Sequence, residues 1–230
     1  MPRESFQQGL DGLVANVIEL GTEIAGSLEN AVEAMMSRDA KVVEPELGVD
    51  ARYKARGAQI ERACMTLQAR QAPVARDLRV LHSARSVTNH LVRSGALVEH
   101  ICNAIFETAQ YDKDEDLEAI LMEMAKAARN IFDEGLGIFR DLDVDRARDL
   151  QAKDDKVDLL YSEALNLIAN PPDEHGVAPE WRMRATQMVH YLERVSDHGV
   201  GIGASTVFLV TGERMGVATK QYKDRDLGEG

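Results

Sequence analysis

Aromatic residues are scarce in this chain: one Trp, five Tyr and five Phe among 230 residues. β-Branched runs are rare too. No stretch alternates apolar and polar residues at a period of two, so no strand is expected. Two cysteines, Cys64 and Cys102, cannot build a disulfide framework. They sit in Arg62-Ala63-Cys64-Met65 and His100-Ile101-Cys102-Asn103, apolar helical contexts that predict buried, reduced thiols. Positive charge is in deficit, with 27 Lys and Arg against 39 Asp and Glu and a formal net charge of −12. That sign repels nucleic-acid phosphate and anionic lipid. It suits a basic protein partner or a cation, or simply a solvated charged surface. Long apolar runs are missing as well. The longest uncharged stretch, His198 to Gly212, is too short and too Gly-rich to cross a bilayer. The opening Met1-Pro2-Arg3-Glu4-Ser5-Phe6 has no apolar signal-peptide core. A cytoplasmic protein with no membrane insertion and no nucleic-acid partner is expected.

Catalytic signatures are also lacking. There is no Gly-rich phosphate loop closed by Lys-Ser/Thr and no nucleophile elbow. A ferritin-like di-iron oxidase needs Glu-x-x-His on two helices. No Glu here has a His three residues on. His82, His90, His100, His175, His190 and His198 are scattered, and packed or surface roles are expected for them. The chain reads as a non-enzyme.

What the chain has is helix. Ala, Leu, Glu, Arg and Met dominate, all good helix formers. Leu10, Val14, Val17, Gly21, Ile24, Leu28, Ala31 and Met35 recur every 3.5 residues on average, the seam of a packed bundle. Breakers cut the chain into six predicted helices: roughly 4–37, 39–69, 73–110, 114–140, 143–169 and 179–211. Pro73 fits a first helical turn, and Asp114 a cap. Pro45 predicts a kink in the second helix or a later start. The run Asn170-Pro171-Pro172-Asp173-Glu174-His175-Gly176 is the clearest loop, and 213–230 is a polar tail.

The two halves resemble each other. Asn89-His90-Leu91-Val92-Arg93-Ser94-Gly95 lines up with His190-Tyr191-Leu192-Glu193-Arg194-Val195-Ser196 at an offset of 101, and Asp39 and Asp50 line up with Asp143 and Asp154 at 104. A loop three residues shorter in the second half reconciles the offsets. The expected fold is all-α: two tandem, pseudo-repeated three-helix bundles over 1–110 and 111–212.

Two carboxylate pairs stand out, both in the second half. Asp154 and Asp158 are four apart on the fifth predicted helix, and Glu193 and Asp197 are four apart on the sixth. That spacing stacks like charges one turn apart, which water or a cation relieves. Either pair alone reads as a solvated acidic face. For Glu193 and Asp197 the flanking Met188, Val189, Leu192, Val195, Val200 and Ile202 predict partial burial, so a partner is required. That partner is a metal or Arg194. Four carboxylates from two helices make an all-oxygen site suited to Mg, Mn or Fe.

Gln71-Ala72-Pro73-Val74-Ala75-Arg76-Asp77-Leu78-Arg79 resembles the signature that opens the third helix of PhoU proteins. Tyr191-Leu192-Glu193-Arg194-Val195-Ser196-Asp197-His198 resembles a second PhoU segment, and Asp154-Asp155-Lys156-Val157-Asp158 a third. The resemblance covers about residues 5 to 210. It implies two three-helix repeats, frequent homodimers, and metal bound by carboxylate pairs in each bundle. It implies a cytoplasmic negative regulator of phosphate uptake and phosphate-starvation signalling. The implied partners are the ATPase of an ABC phosphate transporter and a phosphate-sensing histidine kinase. Carried over residue by residue, the metal role falls on Asp154, Asp158, Glu193 and Asp197, with divalent or iron-type ions (Fe, Mn, Mg or Zn) expected in the second repeat only. The first half departs from the pattern. Asp50 keeps a carboxylate, but Lys54, Val92 and Ala96 stand where the family has acids. Two alternatives remain open: a PhoU-like module acting on an ion-coupled phosphate transporter, and a metal-dependent enzyme.

Overall fold

The apolar seam of the first predicted helix is buried along α1 (Arg3–Ser37) at Leu10, Val17, Gly21, Ile24, Leu28, Ala31 and Met35. Val14 lies at the rim of the seam, and Leu13 and Leu20 join it instead. The structure is a computed structural model that describes residues 3–71, 73–170 and 177–215. After α1 come a short 3₁₀ segment (Ala40–Glu46), then α2 (Asp50–Gln71), α3 (Ala75–Glu107), α4 (Glu115–Asp141), α5 (Val144–Ala169) and α6 (Pro179–Thr211). No strand occurs among the described residues.

Most helix ends fall within a few residues of expectation, and the exceptions have causes. Pro45 lacks an N–H and crowds the preceding turn. It sits inside the 3₁₀ segment; Leu47 is then extended, Gly48 takes φ +84, and α2 starts late, at Asp50. Pro73 does not enter a first turn, because the N-cap Val74 is extended (φ −125°, ψ 158°) and α3 begins at Ala75. Asp114 caps α4 as expected, its Oδ1 accepting the Leu117 N–H at 3.0 Å. Of the predicted loop at 170–176, residues 171–176 lie outside the described residues, as do 216–230 of the tail.

The internal repeat is geometric as well as sequential. Arg38 and Leu142, 104 apart, both take the left-handed φ of 56° that ends their helices. The next residue, Asp39 or Asp143, then caps the succeeding helical segment through a 3.0 Å bond to a backbone N–H. Buried positions match at the same offset: Leu13 with Leu117, Val17 with Leu121, Leu28 with Phe132. In α3 and α6 they match at 101, as with Leu91 and Leu192, or Ile101 and Ile202.

Within each repeat, α2 packs on α1 and α3, and α5 packs on α4 and α6. The repeats meet through α1 against α4 and α3 against α6. Those four helices form the middle of the molecule, with α2 and α5 flanking it. One continuous apolar cluster runs from Phe6 to Leu209 through both repeats. The α3–α6 seam is polar at its edge. Arg79 Nε donates to the Leu209 carbonyl (3.0 Å), Ser83 Oγ to the Ser205 carbonyl (3.1 Å), and Ser86 and Ser205 share a hydroxyl hydrogen bond (3.0 Å). Rising numbers on α3 meet falling numbers on α6, so the two helices cross antiparallel.

Candidate functional site

The four predicted metal-ligand residues lie along the α5–α6 seam, in unequal environments. Asp154 is buried, at 3% exposure. Asp158 and Glu193 are half-buried, and Asp197 is exposed. A buried carboxylate needs hydrogen bonds to offset lost hydration. Asp154 receives one from α6, where Ser196 Oγ donates to its Oδ1 at 2.5 Å. A hydroxyl bonding an ionised carboxylate is a strong, charge-assisted bond. Ser196 is thus a site residue that sequence spacing did not single out. Arg194, the alternative partner for the acids, is exposed. In donor chemistry the quartet fits a hard cation. Among the described residues, no three His, Cys, Asp or Glu side chains are drawn together tightly enough to form a ready-made cage.

The equivalent place in the first repeat is built differently. Asp50 pairs with Lys54 one turn on, and its backbone N–H donates to Glu99 Oε2 at 2.5 Å. An ammonium therefore sits beside Asp50, and a carboxylate without a counterpart in the second repeat, Glu99, takes the Asp50 backbone N–H. Val92, where the second repeat has Glu193, packs against Gly57; a Cβ added at Gly57 would stand 2.5 Å from Val92 Cγ2. Gly95, where the second repeat has Ser196, is pressed by the Tyr53 ring. Hydrocarbon fills this seam where the other repeat carries oxygen.

The first repeat buries polarity elsewhere. Glu46, from the 3₁₀ segment, is 7% exposed. It accepts from Ser27 Oγ at 2.5 Å and from Asn30 Nδ2 at 2.7 Å, and Ser27 also bonds the Tyr53 hydroxyl at 2.6 Å. The positions matching Glu46, Ser27 and Tyr53 in the second repeat are apolar, Leu150, Ile131 and Val157, while Glu134 matches Asn30 and pairs with Lys153. Sequence reading did not find this cluster, because a Glu beside Pro45 looks like loop surface.

Both thiols are buried and unpaired by disulfide, as expected. Burial pushes the Cys64 thiol up to about 11 and the Cys102 thiol to about 12, with nearby acids adding to each.

The histidines are less scattered than their spacing implies. His90 of α3 and His198 of α6 face each other, with Nδ1 atoms 3.2 Å apart. Burial lowers both pKa values. It takes His198 to about 4, with His90, Arg194 and Arg93 adding to the effect. His190 shares a 2.9 Å hydrogen bond with the Tyr161 hydroxyl, and the His100 ring lies 5.3 Å from that of Tyr191. His175 lies outside the described residues. No spacing rule pairs His90 with His198, since only the antiparallel crossing of α3 and α6 does so.

Known proteins share this architecture. The PhoU domain profile matches the chain twice, over residues 17–105 and 121–206. A protein named phosphate-specific transport system accessory protein PhoU homolog 1, from Methanothermobacter thermautotrophicus, is 28% identical over 221 residues, covering 93% of this chain and 97% of the relative. The PhoU homolog 1 of Mycobacterium tuberculosis is 28% identical over 213 residues, covering 91% of this chain and 95% of that protein. Among solved structures, the phosphate transport system regulatory protein PhoU from Streptococcus pneumoniae superposes with a TM-score of 0.81 at 23% identity, over 91% of this chain and 99% of that one. PhoU from Pseudomonas aeruginosa gives 0.84 at 21% identity, over 90% and 100%. Two profile matches that divide the chain where its internal repeat divides it, and relatives aligned almost end to end, place this protein in the PhoU family.

Proposed function

We propose that this protein is a regulator of phosphate transport that acts as a brake. On this reading it restrains phosphate uptake and phosphate-starvation signalling by binding the ATPase of an ABC phosphate transporter and a phosphate-sensing histidine kinase, as a cytoplasmic homodimer. The observation that carries it is the near end-to-end match to accessory proteins of phosphate transport, with both repeats present. The chemistry of the chain agrees. Among the described residues no helix is long and apolar enough to cross a membrane. The relatives are named as accessory and regulatory proteins of phosphate transport, which supports a binding role.

The reading includes a metal role confined to the second repeat. Asp154, Asp158, Glu193 and Asp197 would hold a hard cation, which would lower the repulsion among the acids and tie α5 to α6. In the first repeat an ammonium, Lys54, pairs with Asp50 through one carboxylate oxygen.

The test is phosphate uptake and starvation-gene reporter output in cells grown at high phosphate, with and without the gene. Release of both is expected on deletion. Unchanged uptake and unchanged reporter would overturn the reading. Release of uptake through a sodium-coupled carrier alone would redirect it to that transporter.

A further inference from the structure

The seam between the repeats holds a pair of groups that phosphate regulation does not use. His90 projects from α3 and His198 from α6, and their Nδ1 atoms stand 3.2 Å apart, with ring centroids at 5.3 Å and planes at 59°. The rings are held in place. A Cβ added at Gly201, on the turn of α6 after His198, would fall inside van der Waals contact with His90 Cε1 and Nε2, so the α6 backbone presses on the His90 ring. His90, though not His198, also borders an open pocket of about 310 Å³ lined by His82, Ser86, Gly201, Phe208 and Arg214.

The geometry points to a binding site at His90 and His198 for a nitrogen-preferring, tetrahedral divalent cation such as Zn²⁺ or Co²⁺. With metal–nitrogen bonds of about 2.0–2.1 Å, a separation of 3.2 Å corresponds to an N–metal–N angle of about 100–106°, close to tetrahedral. A right-angled, square-planar arrangement needs about 2.9 Å. Two imidazoles on a tetrahedral ion put their ring centroids about 5.0 Å apart, so a closing movement of about 0.3 Å from the observed 5.3 Å completes the site. Among the described residues no third His, Cys, Asp or Glu makes up a cluster here, which leaves two positions to water or another exchangeable ligand. The exposed guanidiniums of Arg93 and Arg194 lie near enough to act on His198, and their charge opposes a bound dication, so an anionic ligand in the open positions is needed to offset it. The site is distinct from the acidic quartet in donors and in place. It uses soft-to-borderline nitrogen rather than oxygen, and it bridges α3 of one repeat to α6 of the other. A metal bound there staples the repeats together, whereas the quartet lies within one of them.

The test is titration of the purified full-length protein with Co²⁺, followed by visible absorption. Tetrahedral Co²⁺ absorbs far more strongly than the octahedral ion. The strong band is expected in the wild type and in the Glu193→Ala/Asp197→Ala double variant. It is expected to vanish in His90→Ala and in His198→Ala, with circular dichroism confirming that the helices persist. Absence of the band in the wild type, or its survival in either histidine variant, overturns the proposal. Should both histidine variants fail to fold, imidazole ¹⁵N resonances of the wild type decide. Zn²⁺ shifting the Nδ1 signals of both rings supports the site, and unmoved signals overturn it.

Discussion

The α2–α3 seam of the first repeat and the α5–α6 seam of the second occupy equivalent places and answer one problem in opposite ways. In the second, a buried acid, Asp154, is held by Ser196, with three more acids along the same two helices. In the first, Asp50 pairs with Lys54 and gives its backbone N–H to Glu99, and Val92, Gly57, Gly95 and Tyr53 close the rest with hydrocarbon. The first repeat then buries its own carboxylate, Glu46, where the second has Leu150, and bonds it to Ser27, where the second has Ile131. Two copies of one backbone thus carry their buried charge in different places. A repeated fold constrains which positions are buried far more than it constrains what fills them, provided each buried polar group finds a partner.

The all-or-none consequence is metal. Glu193→Ala together with Asp197→Ala is expected to abolish metal retained by the second repeat, while Asp50→Ala leaves retained metal unchanged. Elemental analysis of the purified variants reads both, with the His90/His198 site stripped by a mild chelator or removed by substitution. Metal lost in Asp50→Ala would break the asymmetry. So would quartet metal persisting in the double variant.

The next largest effect is steric. The two repeats differ where their first and third helices cross. The first repeat has Ala31 and Val98, both buried, where the second has Gly135 and Gly199. A Cβ at Gly135 would collide with the backbone carbonyl of Gly199, which cannot rotate away. Gly135→Ala should cost about 3 kcal/mol, near the upper end for overpacking. Gly57→Ala should cost less, because its obstacle is a Val92 methyl that can shift. Urea unfolding midpoints of the two variants rank them, and equal midpoints would contradict the crossing geometry.

Making the first repeat like the second at one position sharpens the comparison further. Glu46→Leu copies Leu150, yet it takes from Ser27 and Asn30 the carboxylate they donate to, and leaves Tyr53 bonded to a Ser27 that has lost that partner. The cost should be about 2 kcal/mol, set by the unpaired hydrogen-bonding groups. An unchanged thermal midpoint would mean that the cluster is solvated. The mildest effect concerns the thiols, both in the first repeat. With Cys64 raised to about 11 and Cys102 to about 12, almost no thiolate exists near neutral pH. Folded protein should react with a disulfide reagent far more slowly than urea-unfolded protein, and faster only as pH rises toward those values. Rapid labelling of the native protein at neutral pH would show that these positions open.

Much of this was legible in the sequence. The 3.5-residue seam of α1, the Asp114 cap, the α6 limits and the Asp39/Asp143 correspondence are local or periodic signals, set by a helix's own geometry. Pro45 announced a disturbance, though not that it would convert a whole turn to 3₁₀ and delay α2 to Asp50. Spacing on one helix also showed that Asp154 shares a face with Asp158, and Glu193 with Asp197.

Tertiary structure decided what spacing on one helix cannot. That Asp154 is the buried acid and Asp197 the exposed one depends on how α5 and α6 rotate against each other. Glu46 meets Ser27, 19 residues away, only because the 3₁₀ segment folds back on α1. His90 meets His198, 108 residues away, only because α3 and α6 cross antiparallel between the repeats. Periodicity specifies the face a residue occupies. The partner on the facing helix is fixed by the packing of ridges into grooves, a property of two surfaces together that neither segment carries alone.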